Sequence, residues 1–362
     1  MTDDLATSPA VQGLLERLGL GRLLPREGES PMGRNRNAAG QTTTGRAVFV
    51  KQLDGRQPDA ARRFRRQRAY EETAVAGERP LTSPKCLGWD EEELLIVFEW
   101  LDGARSGSDL ASDERFDDEL AHRAGEMVGA LHALPPDALP AEASGTTEPD
   151  PILLPPLEFF ESLPLAYHTQ ASGASLEAWG MLQRDTELTL ALRRLRSEEA
   201  AAAVTPVHGD LRLDQFLLHD GQLHLCDWEE FRRADPARDV GSFIGEWLHR
   251  AVLDIPAKDA ELSGPSPRLS HQDIVQRGVA ELNRLRTRSV AFWEGYRASA
   301  AVTDPGLPVR ATAFAGWHLI DRMFASAEQR PRLTALDRAA AGIGRSAVLH
   351  PEKFTTVLGL EA

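Results

Sequence analysis

Residues 205–219 read T-P-V-H-G-D-L-R-L-D-Q-F-L-L-H, and H-L-C-D-W-E-E-F follows at 224–231. His208, Asp210 and Asp227 sit in short apolar runs, where unpaired charge is costly. The stretch H-D-G-Q at 219–222 predicts a hairpin turn between F-L-L and L-H-L-C. Asp210 then follows a strand end, and Asp227 ends the second strand of a hairpin seventeen residues on. Hairpin geometry brings two such positions to the same end of a sheet. Carboxylates that close repel each other unless a cation joins them or one takes a proton. With the amide of Gln215 nearby, the set offers hard oxygen ligands for Mg²⁺. Phosphoryl transfer uses such a set: one carboxylate for the acceptor hydroxyl and another for the metal on the phosphates.

That chemistry makes demands on the elements upstream. A lysine should leave a β-strand to reach the phosphates, and an acid on the next helix should hold it. Lys51 ends the strand-like run A-V-F-V-K, and Glu71 and Glu72 follow on the next helix about twenty residues later. A Gly-containing turn should precede the lysine and cover the phosphates. G-R-N-R-N-A-A-G, beginning at Gly33, is placed for this, with Asn35 and Asn37 serving turn geometry or meeting phosphate oxygens. L-L-I-V-F-E-W-L-D-G is placed as a hinge, with Glu99 and Trp100 beside the nucleotide. T-T-T-G-R reads as a hairpin tip.

H-G-D-L-R-L-D-Q…C-D-W-E…D-P-A-R-D resembles the aminoglycoside phosphotransferase and choline kinase branch of the protein-kinase-like fold, over roughly residues 30–250. The resemblance implies an α+β, two-lobed protein: a small α+β N-lobe over 1–101 and a larger, mainly helical C-lobe over 102–362. It implies ATP and Mg²⁺ as cofactors. Asp210 would accept or orient the hydroxyl proton, and His208 would buttress the catalytic loop. Asp227 would bind metal, with Gln215 standing where an asparagine is usual. Lys51 would bind phosphate, paired with Glu71 in preference to Glu72. Asp239, in D-P-A-R-D, would pin the catalytic loop. Within the superfamily, G-R-N-R-N-A-A-G-Q-T-T-T-G-R-A-V-F-V-K and H-G-D-L-R-L-D-Q-F resemble the kinase subunits of class V lanthipeptide synthetases. These are implied to phosphorylate Ser or Thr of a precursor peptide, so that a partner lyase can eliminate phosphate. A small hydroxyl-bearing acceptor (an aminoglycoside, macrolide, sugar or choline-like alcohol) is the alternative. A non-catalytic pseudokinase is a third, resting on Gln215 alone.

Composition limits the choices. The 362 residues carry a formal charge of −14, which disfavours nucleic acid as a partner and suits a cationic one. The longest apolar runs are too short to span a membrane. The start M-T-D-D-L-A-T has no basic n-region or apolar core, so a cytoplasmic protein is expected. Cys86 and Cys226 form neither a disulfide framework nor a zinc site and read as small buried hydrophobes. R-R-F-R-R-Q-R at 62–68 holds five arginines in seven positions, a solvated helix face or a docking patch for something acidic.

The remaining elements follow from periodicity. V-Q-G-L-L-E-R-L-G-L is a short amphipathic stretch ended by Gly21, and 59–76 has helical composition. Helices are also predicted over 119–134, 179–195, 280–296 and 313–324, with loops over 135–156 and 256–270. His132 reads as a helix-end packing residue, and Trp89, Trp100 and Trp247 read as packing, with Trp100 the best exception. Arg212 and Asp214 are candidates to face the acceptor, whose specificity should lie in 135–178 and the C-terminal helices.

Overall fold

A computed structural model describes residues 5–25, 35–54, 59–73, 81–135, 157–255, 271–300 and 304–361. The strands in chain order are β1 (Leu23–Pro25), β2 (Arg36–Thr42), β3 (Ala47–Gln52), β4 (Cys86–Asp90), β5 (Leu95–Glu99), β6 (Arg105–Ser106), β7 (Thr205–Val207), β8 (Phe216–His219), β9 (Gln222–Leu225) and β10 (Arg232–Ala234). The helices are α1 (Pro9–Arg17), α2 (Asp59–Glu71), α3 (Gly107–Ser112), α4 (Asp118–His132), α5 (Leu165–Gln170), α6 (Gly173–Gln183), α7 (Thr186–Ala201), α8 (Ala237–Leu253), α9 (His271–Ser299), α10 (Leu307–Ala327), α11 (Ala335–Leu349) and α12 (Pro351–Leu358). The architecture is α+β: an N-terminal antiparallel sheet followed by a mainly helical part. No described helix is long and apolar enough to cross a membrane.

Contacts divide the chain into two units, the first chiefly Met1–Arg115 and Asp214–Arg232, the second chiefly Phe116–Leu134, Glu148–Leu213 and Arg233–Ala362. The grouping differs from a division after residue 101, because the hairpin β8–β9 and the D-W-E-E segment pack on the N-terminal elements.

In the first unit the sheet order is β1-β2-β3-β5-β4, every pair antiparallel. Strand alternation gives the sheet two different faces. Val48 and Val50 of β3 and Leu95 and Val97 of β5 bury against Val11, Leu14 and Leu15 of α1. Ile96 lies with Ala60 and Phe64 of α2 on the opposite side. α1 ends earlier than predicted, with Gly19 (φ 70) in the left-handed region that closes many helices. G-R-N-R-N-A-A-G is a strand, not a turn, from Arg36 onward. Strand pairing lets β1 cross at Gly40, where a Cβ would meet the Leu24 carbonyl oxygen at 2.4 Å. Gly33 lies outside the described residues. The hairpin predictions hold: Gly45 (φ 81) lies at the β2–β3 tip, and Asp220 (φ 47) and Gly221 (φ 74) form the two-residue turn between β8 and β9.

In the second unit α4 lies against α9 and α8 against α10. The predicted helix 179–195 is two helices. Asp185 accepts from the Leu188 amide, so it caps a new helix in the middle of the periodic run. Of the loops predicted over 135–156 and 256–270, all but Pro135 lie outside the described residues.

Candidate active site

The first unit holds the lysine and the hairpin aspartate. Lys51 lies on the α2 face of β3, opposite Asn37 in register. Its ammonium bonds the Asp227 carboxylate and sits 2.8 Å from Glu229 Oε2. Burial alone would lower the Lys51 pKa. The charges and hydrogen bonds of Asp227 and Glu229 outweigh it and hold the pKa above its ordinary value. The lysine therefore stays cationic. Asp227 follows β9 with φ 69, a left-handed conformation that Asp tolerates better than most residues.

The helix acid expected to hold Lys51 does not do so. Glu71 accepts from Gln67 Nε2 at 2.8 Å, and burial pushes its pKa up to about 7. Glu72, one residue past α2, is exposed and pairs with Arg68, 3.2 Å away. Glu71 closes α2, past the turns that meet D-W-E-E, whereas Glu229 approaches Lys51 from the turn after β9.

Glu229 is held from two further directions. Asn35 Nδ2 donates to its Oε2 at 2.7 Å, and Arg63 Nη1 is 3.3 Å from its Oε1. Arg63 is fully buried (0% exposed); it also donates to Asn35 Oδ1 at 2.8 Å and to the Asp54 carbonyl. Two turns of α2 thus read the D-W-E-E segment residue by residue. Arg63 meets Glu229, Arg66 donates to Glu230 at 2.5 Å, and Tyr70 stacks on Trp228 with ring centroids 3.7 Å apart. Residues 63, 66 and 70 share one helix face. The arginine run is therefore only partly a solvated face. Its buried stripe went unrecognised in the sequence, although five arginines at helical spacing and an acidic pair after Asp227 were its signal.

Gln215 is buried, and its carbonyl accepts from the Cys226 amide at 2.9 Å, which fixes it beside the residue preceding Asp227. Its amide oxygen lies 3.9 Å from the Cys226 thiol. Among the described residues no group of three or more His, Cys, Asp or Glu side chains is placed to hold a metal. In the segment expected to be a hinge, Glu99 is tied to Lys85, its amide donating at 2.9 Å and its carboxylate accepting at 2.8 Å. Trp100 stacks on Phe49 at 6.0 Å, a packing contact.

The second unit holds the H-G-D segment. Asp239 is buried at the start of α8. It accepts from the His208 amide at 2.7 Å and the Gly209 amide at 2.9 Å, and His132 Nε2 lies 3.1 Å away. Burial would raise its pKa, but His132, His208 and the Gly209 N–H hold it below the ordinary value. His132 in turn meets the Tyr296 hydroxyl at 3.0 Å, so it links α4, α8 and α9. His208 is fully buried, and its Nδ1 accepts from the Asp210 amide at 3.4 Å. The Asp210 side chain is 42% exposed, with Arg212 Nη2 3.6 Å from it. Glu246 bonds His318 at 2.7 Å. Burial would raise its pKa, but His318, Arg322 and Arg212 lower it to about 2.

The two sets of groups are those a phosphoryl-transfer site uses: a buried charged lysine beside an aspartate, and a loop aspartate with its backbone pinned. The description "Phosphotransferase enzyme family" (APH) is that of a family model matching residues 33–268. No curated protein matches the sequence. Among solved structures, the choline kinase LicA of Streptococcus pneumoniae is 13% identical with a TM-score of 0.51, the match covering 94% of this chain and 99% of that one. A choline/ethanolamine kinase family protein from Mesorhizobium loti is 16% identical, TM-score 0.51, covering 99% and 97%. Amicoumacin kinase hAmiN, in complex with AMP-PNP, Ca²⁺ and Ami, is 14% identical, TM-score 0.51, covering 97% and 96%. These likenesses are of fold; the family match spans well over half of the sequence, and the chain belongs to the phosphotransferase enzyme family.

Proposed function

We propose that the chain transfers the γ-phosphoryl group of ATP to an alcohol. The acceptor oxygen forms the new bond to phosphorus, the bond to the departing ADP oxygen breaks, and the hydroxyl proton passes to Asp210. Lys51 binds phosphate oxygens as a fixed cation, and His208 and Asp239 hold the Asp210 loop. The observation that carries this reading is Lys51, buried yet kept charged between Asp227 and Glu229. Asp227 and Gln215 would hold Mg²⁺. A carboxylate and an amide oxygen suit a hard ion that takes few protein ligands, and the Cys226 thiol is a donor it does not favour. Bound Mg²⁺ neutralises charge on the phosphates. Most of the rate enhancement would come from positioning and charge.

For the acceptor, a small hydroxyl compound comes first, because the similar solved structures include choline and amicoumacin kinases. The chain's acidic balance suits a cationic member of that class. Ser or Thr of a precursor peptide, with a partner lyase, is the second reading. It is favoured by the lanthipeptide-kinase resemblance at 33–51 and 208–216. The deciding experiment offers labelled ATP or GTP with Mg²⁺ to a panel of choline, aminoglycosides, macrolides and sugars, and in parallel to a Ser/Thr-rich peptide. Label on one class chooses between them. No transfer together with no Mg²⁺-dependent AMP-PNP binding would leave a non-catalytic binding module. With the accepted substrate, Asp210→Asn and Asp227→Asn should each lower turnover about 10²- to 10⁴-fold while the melting profile is retained. Near-normal turnover in either would remove its assigned role.

A further inference from the structure

We infer that Glu229 is the positioning residue for Lys51, and that α2 acts on the site through Arg63 rather than through a helix carboxylate. The inference rests on the nucleotide-site reading above and goes beyond it. A buried lysine needs its ammonium held in a fixed geometry to be useful. Asp227 is one partner, but the proposed reaction assigns its carboxylate to Mg²⁺. Glu229 is the other, at 2.8 Å, and it is 8% exposed. Both of its oxygens are engaged: Oε2 by Lys51 and Asn35, Oε1 by Arg63. Arg63 is itself tied to Asp59 at 3.2 Å and to the Asp54 carbonyl, so the carboxylate meets a rigid cationic fork. One carboxylate thereby joins β3, α2, the start of β2 and the turn after β9. Glu229 therefore holds the Lys51 ammonium in place by contacts that do not pass through Asp227. Glu71 takes no part, since its partner is Gln67.

The test measures binding of Mg·AMP-PNP and, separately, of adenosine to folded variants by calorimetry. Lys51→Met sets the scale and should weaken Mg·AMP-PNP while leaving adenosine unchanged. Glu229→Gln, which keeps the shape and removes the charge, should weaken Mg·AMP-PNP about tenfold, again with adenosine within about twofold. Glu229→Asp should recover part of that loss, and Glu71→Gln should bind as the parent does. Arg63→Lys keeps the charge but not the fork and should cost about threefold, which serves as the probe if Glu229→Gln does not fold. Unchanged Mg·AMP-PNP binding in Glu229→Gln, beside a weakened Lys51→Met, would overturn the inference alone. A parallel fall in adenosine affinity would overturn it too, as the mark of a merely structural role. So would an equal loss in Glu71→Gln. If Lys51→Met binds Mg·AMP-PNP normally, the nucleotide-site reading itself fails and the inference goes with it.

Discussion

Single residues in this protein are used through what holds them. Asp239 is a buried carboxylate kept ionised by two backbone amides and a histidine, and those amides belong to His208 and Gly209 of the H-G-D segment. Its folded pKa is depressed, so its contribution to stability is present above the unfolded carboxylate range and is lost as pH falls through the folded value. Asp239→Asn should lower the melting temperature at pH 7 and narrow the gap between variant and parent at strongly acid pH. Scans across that range check both points. Gln215 offers a second residue-scale test. Its backbone carbonyl is committed to the Cys226 amide, so the side chain extends from a fixed backbone. Gln215→Asn would retract that amide by one methylene and should raise the Mg²⁺ concentration for half-maximal turnover several-fold. A lower requirement would mean that glutamine detunes the metal site.

At the scale of the element, α2 is the unexpected part. A run of five arginines reads as a polar surface, yet Arg63, Arg66 and Tyr70 form a buried stripe against D-W-E-E. The same helix carries Glu71, whose pKa of about 7 stands above the ordinary 4.5 because burial disfavours its charge. The folded state therefore binds this proton more tightly than the unfolded chain does. Stability is full below the unfolded value and falls as pH rises through about 7, by roughly 3 kcal/mol in total. Urea midpoints at pH 5 and pH 8 should show this decline, and Glu71→Gln should flatten it. An unchanged slope would mean that Glu71 is ionised in the fold. Cys86 shares that pocket: burial, then the neighbouring Glu71, push its thiol up to about 12. It should resist alkylation at neutral pH, which thiol labelling of the native protein would read.

Across the molecule, each unit is held by features that lie far apart in the chain. In the second, α4 and α9 approach so closely that a Cβ on Gly125 would meet the Phe292 carbonyl oxygen at 2.0 Å, and one on Gly295 the His122 carbonyl oxygen at 2.0 Å. Neither contact can relax by moving a side chain, because both partners are backbone. Gly125→Ala or Gly295→Ala should destabilise by about 1–3 kcal/mol or more, read as a fall in the denaturation midpoint. A shift within error would show that the helices separate at little cost. Arg310 and Asp235 close another long-range link, a buried two-bond pair at 2.6 and 2.9 Å between α10 and the segment leading into α8.

The sequence by itself determined the fold class, the two hairpins, most of the helices and the aspartates and lysine that the proposed chemistry needs. These are local: turn residues, apolar periodicity and short spacings act within a few residues of chain, where backbone geometry leaves few alternatives. It also contained the resemblance that the family match supports. Only the tertiary structure decided which carboxylate faces Lys51, that Asn37 lies in a strand opposite it, and that two of the five arginines in 62–68 are buried. Those outcomes depend on which helix face packs against which turn. Glu71 and Glu229 have the same side chain and lie 20 and 178 residues from Lys51, so proximity along the chain favoured the wrong one. Burial then settled the matter: Glu229 approaches the buried ammonium with Arg63 and Asn35 to support it, while Glu71 is left with an amide partner and a raised pKa.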